Sequence, residues 1–327
     1  MLKHQENCLT PKLKVKLTIK HNRASRRAAQ KRNPKQKKGG YKKFNQRTFD
    51  KLTKAYAEHP DIKPLKYMLD GNKIGWCDYT VNMWLGCSEV SEACRNCYSR
   101  HLMTKRMKSS FKDYWGRNPK AESRYYLGEA NWQEKVVKKD KQARKLGINI
   151  KFFVNDMSDV FEDSQWVKEE WRQELWEHIG RTTNSTFQLL TKRPENMAKY
   201  WPSVPKNVRD KCWVGVTIES QKRMWERLHI LNEIEAPIRF VSAEPLQEEI
   251  DFHFDRFKNI DWVITGGEQA CATNVVEADP RWYRSIKNQC LVHDVEYYHK
   301  QNTSKGKVTG KSLDGREYCS VPTEMAA

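Results

Sequence analysis

The feature that most constrains the fold is a regular alternation of short apolar segments and amphipathic segments between residues 148 and 300. The short segments are rich in β-branched and aromatic residues, and those between them repeat apolar residues at helical spacing, as at Met224, Leu228 and Leu231. The six strand-like segments are residues 148–154, 186–190, 212–218, 238–243, 261–266 and 295–300. Strands that alternate with helices are typical of βαβ units, so the pattern predicts a parallel sheet.

A seventh strand is expected near residues 74–84, before this repeat begins. Residues 110–148 fit the repeat poorly, which makes them a long connection between the first and second strands. We therefore predict an α/β fold, a full or partial (β/α) barrel, over residues 67–327. An open doubly wound sheet is the alternative, because the pattern does not encode the order of the strands.

Charge is distributed unevenly along the chain. Residues 1–66 contain 20 lysines and arginines against 4 acidic residues and account for most of the formal net charge of +19. Apolar residues are sparse there, so we expect residues 1–66 to form a flexible arm. A basic arm predicts contact with nucleic acid and a steep dependence of binding on salt, although a solubilising tail would have the same composition.

The sequence shows neither a membrane span nor a secretion signal. No apolar run approaches the roughly 20 residues that cross a bilayer, and the N-terminus lacks the apolar region of a secretory signal. We therefore expect a cytoplasmic protein with no membrane partner.

Three of the nine cysteines are closely spaced, with six residues between Cys87 and Cys94 and two between Cys94 and Cys97. Such a cluster in a cytosolic chain indicates metal binding before it indicates disulfides. Three thiolates can hold three irons of a [4Fe–4S] cluster, and the open fourth iron can chelate the amino and carboxylate groups of S-adenosylmethionine. A closed zinc site is the alternative, with Cys77 or His101 as the fourth ligand.

Polar residues follow most of the predicted strands, where ligands bind in a β/α barrel. Each of them alone is also compatible with a helix cap or a surface ion pair. Because the strand ends meet at one face, we predict that these residues bind the cofactor: Asn155, Asp156, Ser158, Asp159, Thr191, Lys192, Arg193, Thr217, Glu219, Ser242, Glu244, Gly266, Gly267, Glu268 and Gln301.

Some of these residues suggest a particular task. Gly266 and Gly267 would allow the backbone to approach a ligand closely. Lys192, Arg193 and Lys300 would bind a carboxylate or a phosphate, and Lys300 is also a candidate catalytic residue.

Two further possibilities concern catalysis. Cys271, just after a predicted strand end, is a candidate hydrogen-atom donor, although a buried free thiol is the simpler interpretation. Asp156, Asp159, Glu219 and Glu244 would instead bind Mg²⁺ if the protein were a metal-dependent hydrolase. A non-catalytic nucleic-acid-binding protein with a structural zinc remains another alternative.

Residues 74–100, IGWCDYTVNMWLGCSEVSEACRNCYSR, resemble the start of a phage-encoded, radical-SAM-like family with a three-cysteine motif. Further matching blocks follow in order at residues 153–161, 186–197, 213–221, 239–246, 260–269 and 297–302. The resemblance implies a barrel of the radical SAM type, a [4Fe–4S] cluster, S-adenosylmethionine and an external electron donor in the host cytoplasm. Together with the basic arm, it makes modification or repair of a nucleic acid or nucleotide the expected reaction.

Overall fold

The structure is a computed structural model that describes residues 74–106, 114–115, 123–270 and 274–323. The predicted basic arm, residues 1–66, and the candidate residue Cys271 lie outside these ranges, so both remain predictions. No helix within the described ranges is long and apolar enough to span a membrane.

Eight strands form one sheet, and all but the last of its pairings are parallel. Two short antiparallel pairs lie outside it: β2 (Trp84–Leu85) with β3 (Tyr125–Tyr126), and β11 (Ser312–Leu313) with β12 (Arg316–Glu317). The strands of the main sheet, in spatial order, are β1 (Tyr79–Val81), β4 (Ile150–Val154), β5 (Ser185–Thr191), β6 (Cys212–Thr217), β7 (Arg239–Ala243), β8 (Trp262–Gly266), β9 (Glu296–Ser304) and β10 (Lys307–Gly310).

The spatial order of these strands follows the order of the chain without reversal. An open doubly wound sheet would reverse its order at the middle, so that alternative is wrong. Because β1 and β10 form opposite edges within the described residues, the sheet is a partial rather than a closed (β/α) barrel. All seven predicted strands are present, and their bounds differ from the predicted ones mostly by one or two residues.

The helices of the described ranges cover one face of this sheet. The helices are α1 (Tyr98–Arg106), α2 (Gly128–Trp132), α3 (Lys138–Leu146), α4 (Glu169–Gly180), α5 (Pro194–Tyr200), α6 (Lys206–Arg209), α7 (Gln221–Glu233) and α8 (Pro280–Val292). Residues of α4, α7 and α8, such as Leu175, Leu228 and Ile286, are fully buried in one large apolar core with alternate residues of the strands.

The other face of the sheet encloses an aromatic cluster to which no described helix contributes. The indole of Trp262 packs edge-on against those of Trp76 and Trp213, with ring centroids 6.1 and 6.0 Å apart. Phe240 joins them, and a side chain at Gly215 would collide with its ring. Bulky rings on the inner face and helices on the outer face are the arrangement of a curled sheet.

The connection between β1 and β4 contains more regular structure than its sequence suggests. It includes β2, β3 and a helical segment in which α2 and α3 flank a π-helical turn, Gln133–Val137. Trp132 and Val136 on this segment are fully buried against the outer face of the sheet. The basic residues of the segment are mostly exposed, as those of a solvated helix face are.

Candidate functional site

A cavity of about 350 Å³ lies at the C-terminal ends of the parallel strands. It brings together residues that are far apart in sequence, from the cysteine cluster to β9. Of the residues predicted from the sequence, the cavity is lined by Cys87, Cys94, Cys97, Asn155, Asp156, Ser158, Asp159, Thr191, Lys192, Arg193, Thr217, Ser242, Glu244, Gly267, Glu268, Lys300 and Gln301.

Two predicted residues do not line this cavity. Glu219 is fully buried and pairs with Arg227 at 2.7 Å. Gly266 lies beneath the side chain of Glu244, where a Cβ would be 3.0 Å from the carboxyl carbon. Gly267 does line the cavity, but Thr303 occupies the space that its Cβ would need. The space beside both glycines is therefore taken up by side chains of the protein, where the sequence predicted the close approach of a ligand.

The cysteine loop begins at a position that only glycine fits. Gly86 has a φ of 103°, and a Cβ there would collide with the carbonyl oxygen of Tyr114. The amide of Cys87 donates to that same carbonyl at 3.2 Å. A 3₁₀ helix, Glu92–Asn96, then carries Cys94, and α1 begins one residue after Cys97. Cys94 is buried, and the other two thiols are half-buried.

The arrangement of donors differs from that of a single-ion site. In the part of the chain that the structure describes, no three His, Cys, Asp or Glu side chains are placed to share one metal ion. Cys77 is buried in the aromatic cluster, and neither it nor His101 lines the cavity. A cubane distributes its three thiolates over three irons, whereas zinc requires four ligands around one ion. The described donors therefore form no closed zinc site, and three separate thiolates beside one cavity are the donor set that a cubane would use.

Behind Cys87 lies a buried arginine that contacts the sulfur. Nη1 of Arg193 is 2.7 Å from Oδ2 of Asp159 and 3.6 Å from Sγ of Cys87, and its Nη2 donates to the carbonyl oxygen of Ser88 at 2.8 Å. Thr191 also donates to Asp159, at 2.8 Å. The end of β5 therefore fixes both the carboxylate and the arginine beside the first cysteine.

A second buried ion pair continues this network, and the sequence analysis missed it. Arg124 and Glu162 pair at 2.5 Å with side chains that are at most 2% exposed. Glu162 also accepts from the amide of Ser88 at 3.2 Å, and Arg124 donates to the Ser88 hydroxyl at 2.7 Å. Glu162 could have been predicted at the site only from its position a few residues beyond β4. Nothing in the sequence marks Arg124 as buried, so its role could not have been predicted.

The thiols have different electrostatic surroundings. Burial raises the pKa of Cys87 to about 12, against the opposing effect of Arg193. Burial also acts to raise the pKa of Cys94, but the ammonium of Lys192 and hydrogen bonds at Val90 and Ser91 outweigh it, so that pKa is lowered. Lys192 thus stabilises the thiolate form, which is the form that binds metal.

On the opposite wall, the cavity is lined by a neutralised ion pair. Nζ of Lys300 is 2.5 Å from Oε1 of Glu244, and Gln301 donates to the same oxygen at 3.3 Å. Both charged side chains are less than one-fifth exposed. Across the mouth, Asn96 of the cysteine loop donates to Glu268 at 3.3 Å, so this wall also contacts the loop.

The end of β4 presents an amide group without a partner. Asn155 has a left-handed backbone, with a φ of 55°, and its Oδ1 accepts from the amide of Met83 at 2.9 Å. Its Nδ2 is buried and has no hydrogen-bond partner among the described residues. Burial also raises the pKa of the neighbouring Asp156, which accepts from Asn82 at 2.6 Å. A ligand with an acceptor atom would satisfy Asn155.

Comparison with known proteins gives remote structural likenesses and one family. Two single-residue mutants of spore photoproduct lyase resemble the chain at TM-scores of 0.40 and 0.39, with 13% and 12% identity. In each case the match covers 65% of this chain and 61% of the other, so the chain spans less than two-thirds of those structures. No curated protein matches the sequence significantly.

A family match covers most of the chain. Residues 71–322, which include the whole barrel and the cysteine loop, match the family described as "Protein of unknown function (DUF5131)". The match begins after the basic segment 1–66 and includes none of it. The chain therefore belongs to the DUF5131 family.

Proposed function

We propose that this protein is a radical SAM-type iron–sulfur enzyme. The observation that carries the proposal is that three cysteines of one loop line the same cavity as the polar ends of β4 to β9. A structural metal site requires no adjacent cavity lined by polar residues. A cluster with an open iron requires both space and polar groups for a second ligand. Cys87, Cys94 and Cys97 would hold the cluster.

Held by Cys87, Cys94 and Cys97, a [4Fe–4S] cluster would supply the one-electron reduction on which radical chemistry with S-adenosylmethionine depends. The chain's own contribution is to bind and orient. Asn155 offers a buried N–H donor, and Lys192 offers a cation beside Cys94 for a carboxylate. Glu244 keeps one oxygen for a hydroxyl or amino group, while Lys300 and Gln301 bind the other.

Arg193 is unsuited to the ligand-binding role that the sequence suggests for it. Its guanidinium already contacts Asp159, Ser88 and Cys87. Asp159 and Glu219 form ion pairs with Arg193 and Arg227, which also removes two of the four carboxylates that a magnesium hydrolase would use.

The proposed substrate is a nucleic acid or a nucleotide, and base modification or repair is the proposed outcome. The support is the charge of residues 1–66, which contain 20 basic and 4 acidic residues. An external electron donor completes the reaction. Fluorescence anisotropy with a labelled single-stranded DNA and RNA tests the partner. We expect binding to weaken about tenfold or more between 50 and 200 mM salt, and a full-length chain with Lys35, Lys37 and Lys38 changed to Gln to bind more weakly at both.

The cluster itself has a direct test. Protein reconstituted anaerobically should be brown and hold about four irons per chain, and the EPR signal of the reduced protein should change when S-adenosylmethionine is added. Cys94→Ala should lose the cluster. Cys212→Ala is the matched control, because Cys212 is buried in the large core, away from the cavity. A colourless protein that holds one zinc would contradict the proposal.

A further inference from the structure

The contact between Arg193 and Cys87 differs from the other contacts of the cysteine loop. Arg223 pairs with Glu92 at 2.8 Å, and Asn96 contacts Glu268, but neither contact involves a cysteine of the loop. Arg193 places a charged N–H group within hydrogen-bonding distance of a thiol, Sγ of Cys87, at 3.6 Å. The hydrogen bonds to Cys94, from Val90 and Ser91, come from uncharged groups.

The guanidinium is held in this position from several sides. Asp159 contacts the same nitrogen, Nη1, at 2.7 Å, and Glu162 lies 3.8 Å from Nη2. Nη1 carries two hydrogens, so it can donate to the carboxylate and to the sulfur together. The Arg193 side chain is 7% exposed. A buried, fully paired arginine cannot swing away to solvent without leaving Asp159 uncompensated, which makes the contact to sulfur a persistent one.

Hydrogen bonds to ligand sulfurs and nearby charge set the reduction potential of an iron–sulfur cluster. Reduction adds one electron to the cluster and transfers no proton and no bond, so the reduced state carries one more negative charge. An N–H donor and a positive charge at a ligand sulfur stabilise that state and raise the potential. Asp159 opposes this effect, because its negative charge lies on the same guanidinium nitrogen.

We propose that Arg193 is a positioning residue that raises the reduction potential of the cluster through Cys87, and that Asp159 limits this effect. The inference rests on the proposed function, because it requires a cluster at Cys87. It assigns the Arg124–Glu162 pair a supporting role, since Glu162 and Arg124 hold the Ser88 segment to which Arg193 also donates.

The test is an EPR-monitored redox titration of the reconstituted full chain, with dithionite as the one-electron reductant. Arg193→Gln should make the reduced state about tenfold less favourable, which is a shift of about 59 mV to more negative potential. Asp159→Asn should shift the potential in the opposite direction, because it leaves the arginine charge less compensated. Arg223→Gln is the matched control, because Arg223 of α7 contacts the same loop through Glu92 and has no described contact with a sulfur, so it should titrate like the wild type.

A purely structural role for Arg193 predicts a different pattern, since the loss of either partner would loosen the loop in the same way. Shifts of the same sign in Arg193→Gln and Asp159→Asn, or no shift in Arg193→Gln, would overturn the inference. If Arg193→Gln does not load a cluster, Arg193→Lys replaces it, with an expected potential that is more negative than that of the wild type. Failure of both variants to load iron, with wild-type circular dichroism, would also overturn it.

Failure of the proposed function would look different from failure of this inference. In that case the wild-type chain itself would bind no cluster after reconstitution. A wild-type chain that loads about four irons but whose potential ignores Arg193 contradicts the inference alone.

Discussion

The two walls of the cavity use charge in different ways. On the wall behind the cysteine loop, Arg124, Glu162, Asp159 and Arg193 are almost completely buried, and each makes several hydrogen bonds. On the wall formed by β7 and β9, the single ion pair Lys300–Glu244 is partly exposed.

The two walls therefore differ in how easily their charged side chains can rearrange around a bound group. Buried charges are costly to desolvate, so a network of four is stable only when every member is paired, and any loss is severe. Such a wall suits a group that stays bound. A partly exposed pair can rearrange at small cost, which suits a wall that must release one ligand and accept the next.

The largest effect on stability is expected when a charge is removed from the wall behind the cysteine loop. Glu162→Gln leaves Arg124 without its buried carboxylate partner and removes the more distant of the two carboxylates beside Arg193. The free energy of unfolding should therefore fall by about 3–5 kcal/mol. Urea denaturation followed by circular dichroism measures it. The neighbouring Asp163→Asn, which breaks an exposed pair with Lys199, is the control and should cost at most about 0.5 kcal/mol. Similar losses in the two variants would remove the contrast between buried network and surface.

An intermediate effect is expected on the opposite wall. Glu244→Gln removes the partner of Lys300, but solvent reaches both side chains, so the free energy of unfolding should fall by about 1 kcal/mol. The same variant should weaken S-adenosylmethionine binding to the reconstituted protein in calorimetry. A loss of stability as large as that of Glu162→Gln would mean that the two walls are equally rigid.

A pH effect should arise beside this wall, on β9. His299 is 2% exposed, and burial lowers its pKa below the ordinary value. The unfolded chain therefore takes up a proton near pH 6.5, where the folded chain does not, and stability falls as pH drops below about 6.5. The loss should be at most about 1.4 kcal/mol per pH unit, and thermal unfolding at pH 7.5, 6.5 and 5.5 measures it. His299→Gln should flatten this part of the profile; an unchanged profile would show that other groups cause it.

The smallest effect is expected far from both walls. Lys206 at the start of α6 and Asp210 just after its end form an exposed i,i+4 pair, and Lys206→Ala should change the free energy of unfolding by less than about 0.5 kcal/mol. This variant sets the baseline against which the effects on the two walls are measured by urea denaturation.

The period of the apolar residues was enough to predict the strands, the helices and their parallel arrangement. Because C-terminal strand ends meet at one face, the polar residues after each strand could also be placed at one cavity, and most of them line it. The partners of those residues could not be predicted. Glu219 pairs with Arg227 and Glu244 with Lys300, and such pairings depend on side-chain directions that only packing determines.

The burial of Arg124 is another feature that the sequence could not predict. An arginine in a sequence is usually a surface residue, and nothing near position 124 marks it as buried. In the fold, Arg124 packs beside Gly86 and donates at 3.3 Å to the same Tyr114 carbonyl that Gly86 approaches closely. The spacing also does not distinguish which metal the three cysteines would bind, since iron and zinc both accept three nearby thiolates.

The aromatic cluster inside the sheet has a consequence for how the cavity fills. Trp76 and Phe153 belong to that cluster and also line the cavity, so their rings form its floor. A cavity with a solid floor has its entrance at the rim. If two ligands share the cavity, we expect the one that contacts the floor to bind first and to leave last. Product inhibition patterns in steady-state kinetics would report that sequence directly.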